Sequence, residues 1–201
     1  QSYNDPDFVK AANCIKELVD MGAFIDGATG LSNDEASASF YAEQVPMYFT
    51  GSWMGGSIVT DAEKPDNFAV APIPVVNSKN ASVTDFMGGG SDTLMVSANT
   101  KNKDLAAAAA FEITRGVSKH AYLSGAGIPA WTVDYDASSV PALTQQVADI
   151  AGKATSYTLW FDTLMSSDDA GEYLTLLQSL FAGDLKPEEF AASMDKQLSK
   201  K

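Results

Sequence analysis

The chain has 201 residues, 45% of them hydrophobic and 19% charged, proportions of a folded globular protein with a sizeable core. Its net charge of -13 excludes nucleic acid as an expected partner, because neutralising phosphates needs clustered Lys and Arg. No stretch approaches the roughly 18–20 apolar residues of a membrane-spanning helix.

Cys14 is the single cysteine. An internal disulfide is therefore excluded, and its place among the apolar positions of a helix reads as a buried structural thiol. His120 is also single, which argues against a histidine metal site or a Ser-His-Asp triad. The opening Gln1-Ser2-Tyr3-Asn4 looks like neither an initiator nor a signal, so a processed or excised piece is expected.

Asp5-Pro6 opens the first helix with a capping carboxylate and a proline whose missing N–H costs nothing there. Phe8, Ala11, Ala12, Ile15, Leu18 and Val19 recur at helical spacing, and Gly22 closes the run. Ser32-Asn33-Asp34-Glu35 reads as a capping box and starts a helix expected to reach about Gln44, with Phe40 and Tyr41 near its inner face. The apolar run from Val45 to Thr50 is expected as a short buried strand stopping at Gly51-Ser52-Trp53. Its end would deliver the Trp53 indole and several backbone N–H groups to one point, the arrangement of a ligand pocket. Trp53 also reads as an ordinary core aromatic beside a turn. A short helix should follow, from Trp53 to about Thr60.

Asn67 to Pro74 is β-rich until its prolines, as in a strand leaving a sheet. Val75 to Thr84 is polar and loop-like. Gly88-Gly89-Gly90 precedes an expected strand from Thr93 to Ser97 and lacks the Gly-Lys-Ser/Thr ending of a phosphate loop. Adjacent glycines instead mark either close approach to a ligand or a tight turn or hinge. Asn102 caps an alanine-rich helix from Leu105 to Arg115, able to pack closely on a sheet and ended by Gly116. Ser118 starts another short helix, finished by Gly125 and Gly127. Ile128-Pro129-Ala130-Trp131 is extended, and Val140 to Ala151 is helical. Two helices close the chain. One carries Tyr173, Leu177, Leu180 and Phe181 and ends at Gly183; the other starts at Pro187-Glu188-Glu189 and carries Phe190, Met194 and Leu198. Strands alternating with helices give an α/β sandwich, at least partly parallel.

Few carboxylates suggest chemistry. Asp168-Asp169 and Glu188-Glu189 fall in helix first turns and serve the helix dipole. Asp134 and Asp136 lack the spacing of a calcium loop. Asp162 follows Trp160 by two residues, a pairing that can hold a sugar: the ring stacks on the indole while the acid accepts from hydroxyls. The competing reading makes Asp162 a helix cap and Trp160 a core residue. A carbohydrate hydrolase using Asp162 is the enzymatic alternative, but no partner carboxylate is evident. An interaction domain without a small ligand is the remaining alternative. No catalytic residue, metal or cofactor is expected.

Several stretches, in order, resemble the extracellular solute-binding proteins of ABC importers, in the maltose- and oligosaccharide-binding cluster. They are the helix with Phe40 leading to Met47-Tyr48-Phe49 and Gly51-Ser52-Trp53, the segment Asn67–Pro74, and glycine-rich Phe86–Gly90. The alanine-rich helix with Phe111, Gly127-Ile128-Pro129-Ala130, Leu159-Trp160-Phe161-Asp162 and Gly183 through Phe190 complete the series. Lys186 departs from the pattern, where a Ser or Thr cap often precedes Pro-Glu-Glu.

The resemblance implies a type II periplasmic-binding-protein-like α/β fold, mainly the C-terminal lobe of a two-lobed clamp. Residues 1–80 and 129–201 would build that lobe, and 81–128 would cross to the other lobe and the hinge. It implies a non-enzymatic substrate-binding component that closes on a sugar or oligosaccharide and docks on the importer's permease subunits. The expected site is Gly51, Ser52, Trp53, Gly88, Gly89, Trp160 and Asp162, while Trp131 is structural. The protein would be bacterial and exported, to the extracellular membrane face or the periplasm. Membrane attachment would come only through a lipid anchor in the absent half.

Overall fold

The computed structural model describes residues 2–89 and 93–198. Gly90, Ser91 and Asp92, the end of the glycine-rich run, lie outside the described residues, as do Gln1 and the Leu198 side chain. The chain forms two compact units, Gln1–Ser37 with Trp160–Lys201, and Ala38–Leu159.

In the first unit, the Asp5 carboxylate accepts from the Asp7 N–H at 2.9 Å and starts helix α1 (Pro6–Asp20). Gly22, at φ 69°, follows the Met21 cap, and the Gly22 and Ala23 N–H groups donate back to Val19 and Leu18, as the sequence led us to expect. Helices α6 (Ser167–Ala182) and α7 (Pro187–Leu198) pack with α1 around Ala12, Leu180, Phe190 and Met194. Leu180 and Met194 are 0% exposed, and the Phe8 and Phe190 rings stack at 5.7 Å. The inward seam of α1 is narrower than its periodicity implied: Ala11 and Leu18 are exposed, and Cys14 is only half-buried. Ser166 caps α6, which Gly183 ends at φ 83°. Lys186 does stand before α7, where its N–H donates to Glu189 Oε2 at 3.1 Å, so a carboxylate performs half of a capping box.

The capping box at Ser32 is complete. Ser32 N–H donates to Glu35 Oε2 at 2.8 Å and Glu35 N–H returns to Ser32 Oγ at 3.3 Å, opening α2 (Asn33–Tyr41). The Ser32 N–H, and with it the Ser32 hydroxyl donating at 2.7 Å, hold the Glu35 carboxyl below its ordinary value. The helix stops at Tyr41, short of Gln44, and Glu43 takes a positive φ of 56°.

In the second unit, α3 (Met54–Asp61) and α5 (Ala142–Ala151) bury Met54, Ile58, Ala62 and Leu143, flanked by Phe40, Tyr48, Phe68 and Val70. Strands β1 (Asp85–Met87) and β2 (Ser156–Thr158) pair in parallel with Phe86 opposite Tyr157. Helix α4 (Lys103–Ser124) is continuous through Gly116, correcting the expected break. A mid-helix glycine costs only about 1 kcal/mol, too little to stop a run with helix formers on both sides. Asn102 stands at its N-terminus without a side-chain capping bond, and none of its residues is buried, so the alanine face is not packed on a sheet as expected.

The expected strands at Val45–Thr50, Asn67–Pro74 and Thr93–Ser97 are not formed. Their residues favour extended backbone, but a strand exists only through hydrogen bonds to a neighbour. Instead Tyr48 and Phe68 turn inward against Phe40, at 5.6 and 5.0 Å, while Met47 and Phe49 face outward.

Candidate functional site

The Gly51-Ser52-Trp53 turn leads into α3, where the Met54 N–H donates to the Gly51 carbonyl at 3.3 Å. Trp53 is the residue before the helix and makes no side-chain capping bond. Its six-membered ring lies against the Gly51 α-carbon: a Cβ built there would fall 2.1–2.6 Å from three ring atoms. Only glycine leaves room for the indole in this position. Trp53 is 56% exposed, so it offers aromatic surface to solvent instead of filling the core.

In the same unit, Gly88 and Gly89 continue directly from β1. The Gly88 N–H donates to the Thr158 carbonyl at 2.8 Å, and both glycines have positive φ, 114° and 81°. A Cβ on Gly89 would stand 3.0 Å from the Tyr157 side chain, so this glycine permits close approach of the backbone to an aromatic ring. Tyr157 is half exposed and packs near Phe86 at 6.1 Å. One strand residue away, the Asp85 carboxylate accepts from Ser156 Oγ at 2.7 Å and the Ser82 N–H at 2.6 Å, which keeps it below the usual carboxylate range. The sequence reading missed Tyr157. Its signal was the matching of two polar–aromatic triplets, Asp85-Phe86-Met87 and Ser156-Tyr157-Thr158, which the register pairs.

Trp160 and Asp162 belong to the first unit. Trp160 precedes a 3-10 turn at Phe161–Leu164 and caps nothing with its side chain; it is 38% exposed. Asp162 sits within the turn, while Ser166 is the cap of α6, so Asp162 does not take the capping role. Tyr173 is half-buried: burial raises its phenol above the ordinary value, and the Asp162 charge adds to the rise. Phe161 meets Tyr173 edge-on at 5.3 Å.

Within each unit these residues amount to exposed aromatic surface beside hydrogen-bonding groups, chemistry suited to the apolar faces and hydroxyl rims of sugars. Among the described residues, no group of three His, Cys, Asp or Glu could hold a metal ion, and no helix is long and apolar enough to cross a membrane.

The family model described as bacterial extracellular solute-binding protein matches residues 2–111. No match was found among curated proteins. A solved structure from work on xylan utilization by the thermophilic bacterium Caldanaerobius polysaccharolyticus is similar at 30% identity, with a TM-score of 0.87 over 98% of this chain and 52% of that one. A chitin oligosaccharide binding protein is similar in fold at 22% identity, with a TM-score of 0.83 over 100% of this chain and 50% of that one. The chain thus spans about half the length of these solved structures, at 52% and 50%. Its helix-rich α/β fold is that of part of a type II periplasmic-binding-protein-like molecule.

Proposed function

The chain belongs to the family of bacterial extracellular solute-binding proteins, and we propose that it is part of the substrate-binding component of an ABC importer for a sugar or oligosaccharide. Membership in an extracellular family fits a location on the outer face of the cell membrane or in the periplasm. The exposed Trp53 indole, lying over a glycine whose missing side chain leaves room for the ring there, carries the reading. An exposed indole presents a ready apolar face on which a sugar ring can stack. The relative from xylan utilization supports a carbohydrate ligand.

In this reading Trp53 and Trp160 are stacking surfaces. Asp162, Ser52 and backbone amides near Gly51 and Gly89 read hydroxyls, and Gly88, whose own N–H is held by Thr158, lets the backbone come close to the ligand. Residues 1–80 and 129–201 build one lobe of the whole protein, 81–128 cross to the other lobe, and closure on ligand presents the protein to permease subunits. The protein binds without turnover, and any attachment to the membrane is through a lipid anchor in the part of the whole protein that this chain does not span.

Titration with xylo-, chito- and malto-oligosaccharides, followed by tryptophan fluorescence, tests the reading. A saturable response is expected with at least one series, weakened roughly tenfold or more by Trp53→Ala as a stacking face is lost. Silence across all the series sinks it, and so does hydrolysis of any of them.

A further inference from the structure

A cavity of about 240 Å³ lies between α4 and the segment Trp131–Tyr135. From the helix it is lined by Glu112, Arg115, Gly116 and Lys119, spaced i, i+3, i+4 and i+7 and so on one face. Trp131 forms an aromatic wall, fixed edge-on against Phe111 at 4.9 Å. Arg115 is bridged to Asp134, and the Lys119 ammonium stands 4.9 Å from the centre of the Tyr135 ring. All of these residues belong to the Ala38–Leu159 unit.

We propose that this cavity is a second binding site, separate from the Trp53 turn, for a single ring of a neutral sugar. It is smaller than the roughly 300–1,000 Å³ typical of ligand pockets, a size that suits a single ring. The lining cations, Arg115 and Lys119, balance the lining anions, Glu112 and Asp134, so the cavity has no net pull on an anionic ligand. A zwitterion fits poorly. The Arg115–Asp134 charges already satisfy each other, and Glu112 and Lys119 are seven residues apart, roughly 10 Å along the helix axis. A pyranose ring does suit this distribution: an indole for its apolar face, with donors and acceptors spread around its rim. The Tyr135 hydroxyl supports an occupant, because it is buried and has no hydrogen-bond partner among the described residues. Such orphaned hydroxyls are uncommon; the oxygen is closed off from the cavity as the ring stands, and a rotation of Tyr135 toward the cavity would bring it to a ligand hydroxyl.

The test is an NMR titration with methyl β-D-xylopyranoside, reading the tryptophan indole N–H resonances of the parent and of Trp53→Ala, Glu112→Gln and Tyr135→Phe. Saturable shifts at Trp131 that persist in Trp53→Ala are expected, with affinity reduced about fivefold to tenfold in Glu112→Gln and Tyr135→Phe, each losing one ligand hydrogen bond. Both substitutions keep the shape of the side chain, and Glu112 is at the surface, so folding is not at stake. Shifts confined to Trp53 or Trp160 would overturn this second site while leaving the proposed function intact. An unresponsive Trp131, unchanged affinity in both variants, or tighter binding of glucuronate than of the neutral glycoside would each overturn it as well.

Discussion

Replacing Gly56 by alanine places a methyl group 2.5 Å from the Ser124 carbonyl oxygen, 3.1 Å from the Gly125 carbonyl carbon and 3.3 Å from the Ala126 nitrogen. All three are backbone atoms, so no side chain can rotate aside. Ordinary contact begins near 3.4 Å, so the α3 backbone must retreat by about 0.9 Å from the end of α4. Overpacking of this kind costs about 1–3 kcal/mol. The retreat also stretches the 2.8 Å hydrogen bond from the Gly56 N–H to the Gly125 carbonyl, worth about 1 kcal/mol. The helix preference of alanine over glycine returns about 1 kcal/mol. The net expectation is a loss of about 1–3 kcal/mol in the Ala38–Leu159 unit. With a urea dependence near 2 kcal/mol/M, the midpoint followed by far-UV circular dichroism should fall by about 1 M. Gly116→Ala is the matched control. It lies inside α4 with nothing within 4 Å of the added methyl, and should gain about 0.5–1 kcal/mol. A midpoint for Gly56→Ala at or above that of the parent would refute the close approach of α3 to α4.

Two further tests concern titrating groups. Asp85 has a folded-state pKa below its ordinary value, so its clasp on Ser156 and Ser82 stabilises the fold above the ordinary carboxylate range and is lost as pH falls through the depressed value. Asp85→Asn should therefore flatten the acid limb of urea midpoint against pH, and an unchanged difference from the parent across that limb would contradict the clasp. Tyr173 has the opposite sign: its neutral form stabilises the fold below the ordinary phenol value, and the contribution is lost as pH rises through the raised one. Asp162→Asn should lower the Tyr173 pKa yet leave it raised, because burial is the larger cause, as ring-labelled tyrosine NMR would show. A full return to the ordinary value would assign the shift to Asp162 instead.

Local features of this fold were legible from the sequence because their causes are local. The Asp5 cap, the Ser32–Glu35 box and the glycine ends at Gly22 and Gly183 each depend on residues within a turn of one another. The three apolar runs expected as strands were not legible in the same way. Val45–Thr50 has the composition of a strand, but a ladder is made by a distant segment, and composition does not say whether one arrives. The parallel pair that does form, β1 with β2, joins Asp85–Met87 to Ser156–Thr158 across a long stretch of chain.

The same distinction governs the two candidate sites. Trp53 could be singled out early because the feature that positions it, Gly51, lies two residues away. The cavity on α4 could not, because assigning a helix end to Gly116 splits Glu112 and Arg115 from Lys119 and dissolves the face they share. Once α4 runs unbroken from Lys103 to Ser124, those residues line up opposite Trp131 and Tyr135. A glycine in mid-helix thus does two things at once. It costs the helix too little to end it, and its missing side chain leaves part of the cavity wall open. Gly116→Ala then acts in opposite directions on stability and on binding: the methyl that strengthens α4 also narrows the space for a sugar ring. A variant that gains stability without losing affinity for methyl β-D-xylopyranoside at Trp131 would separate the glycine from the site.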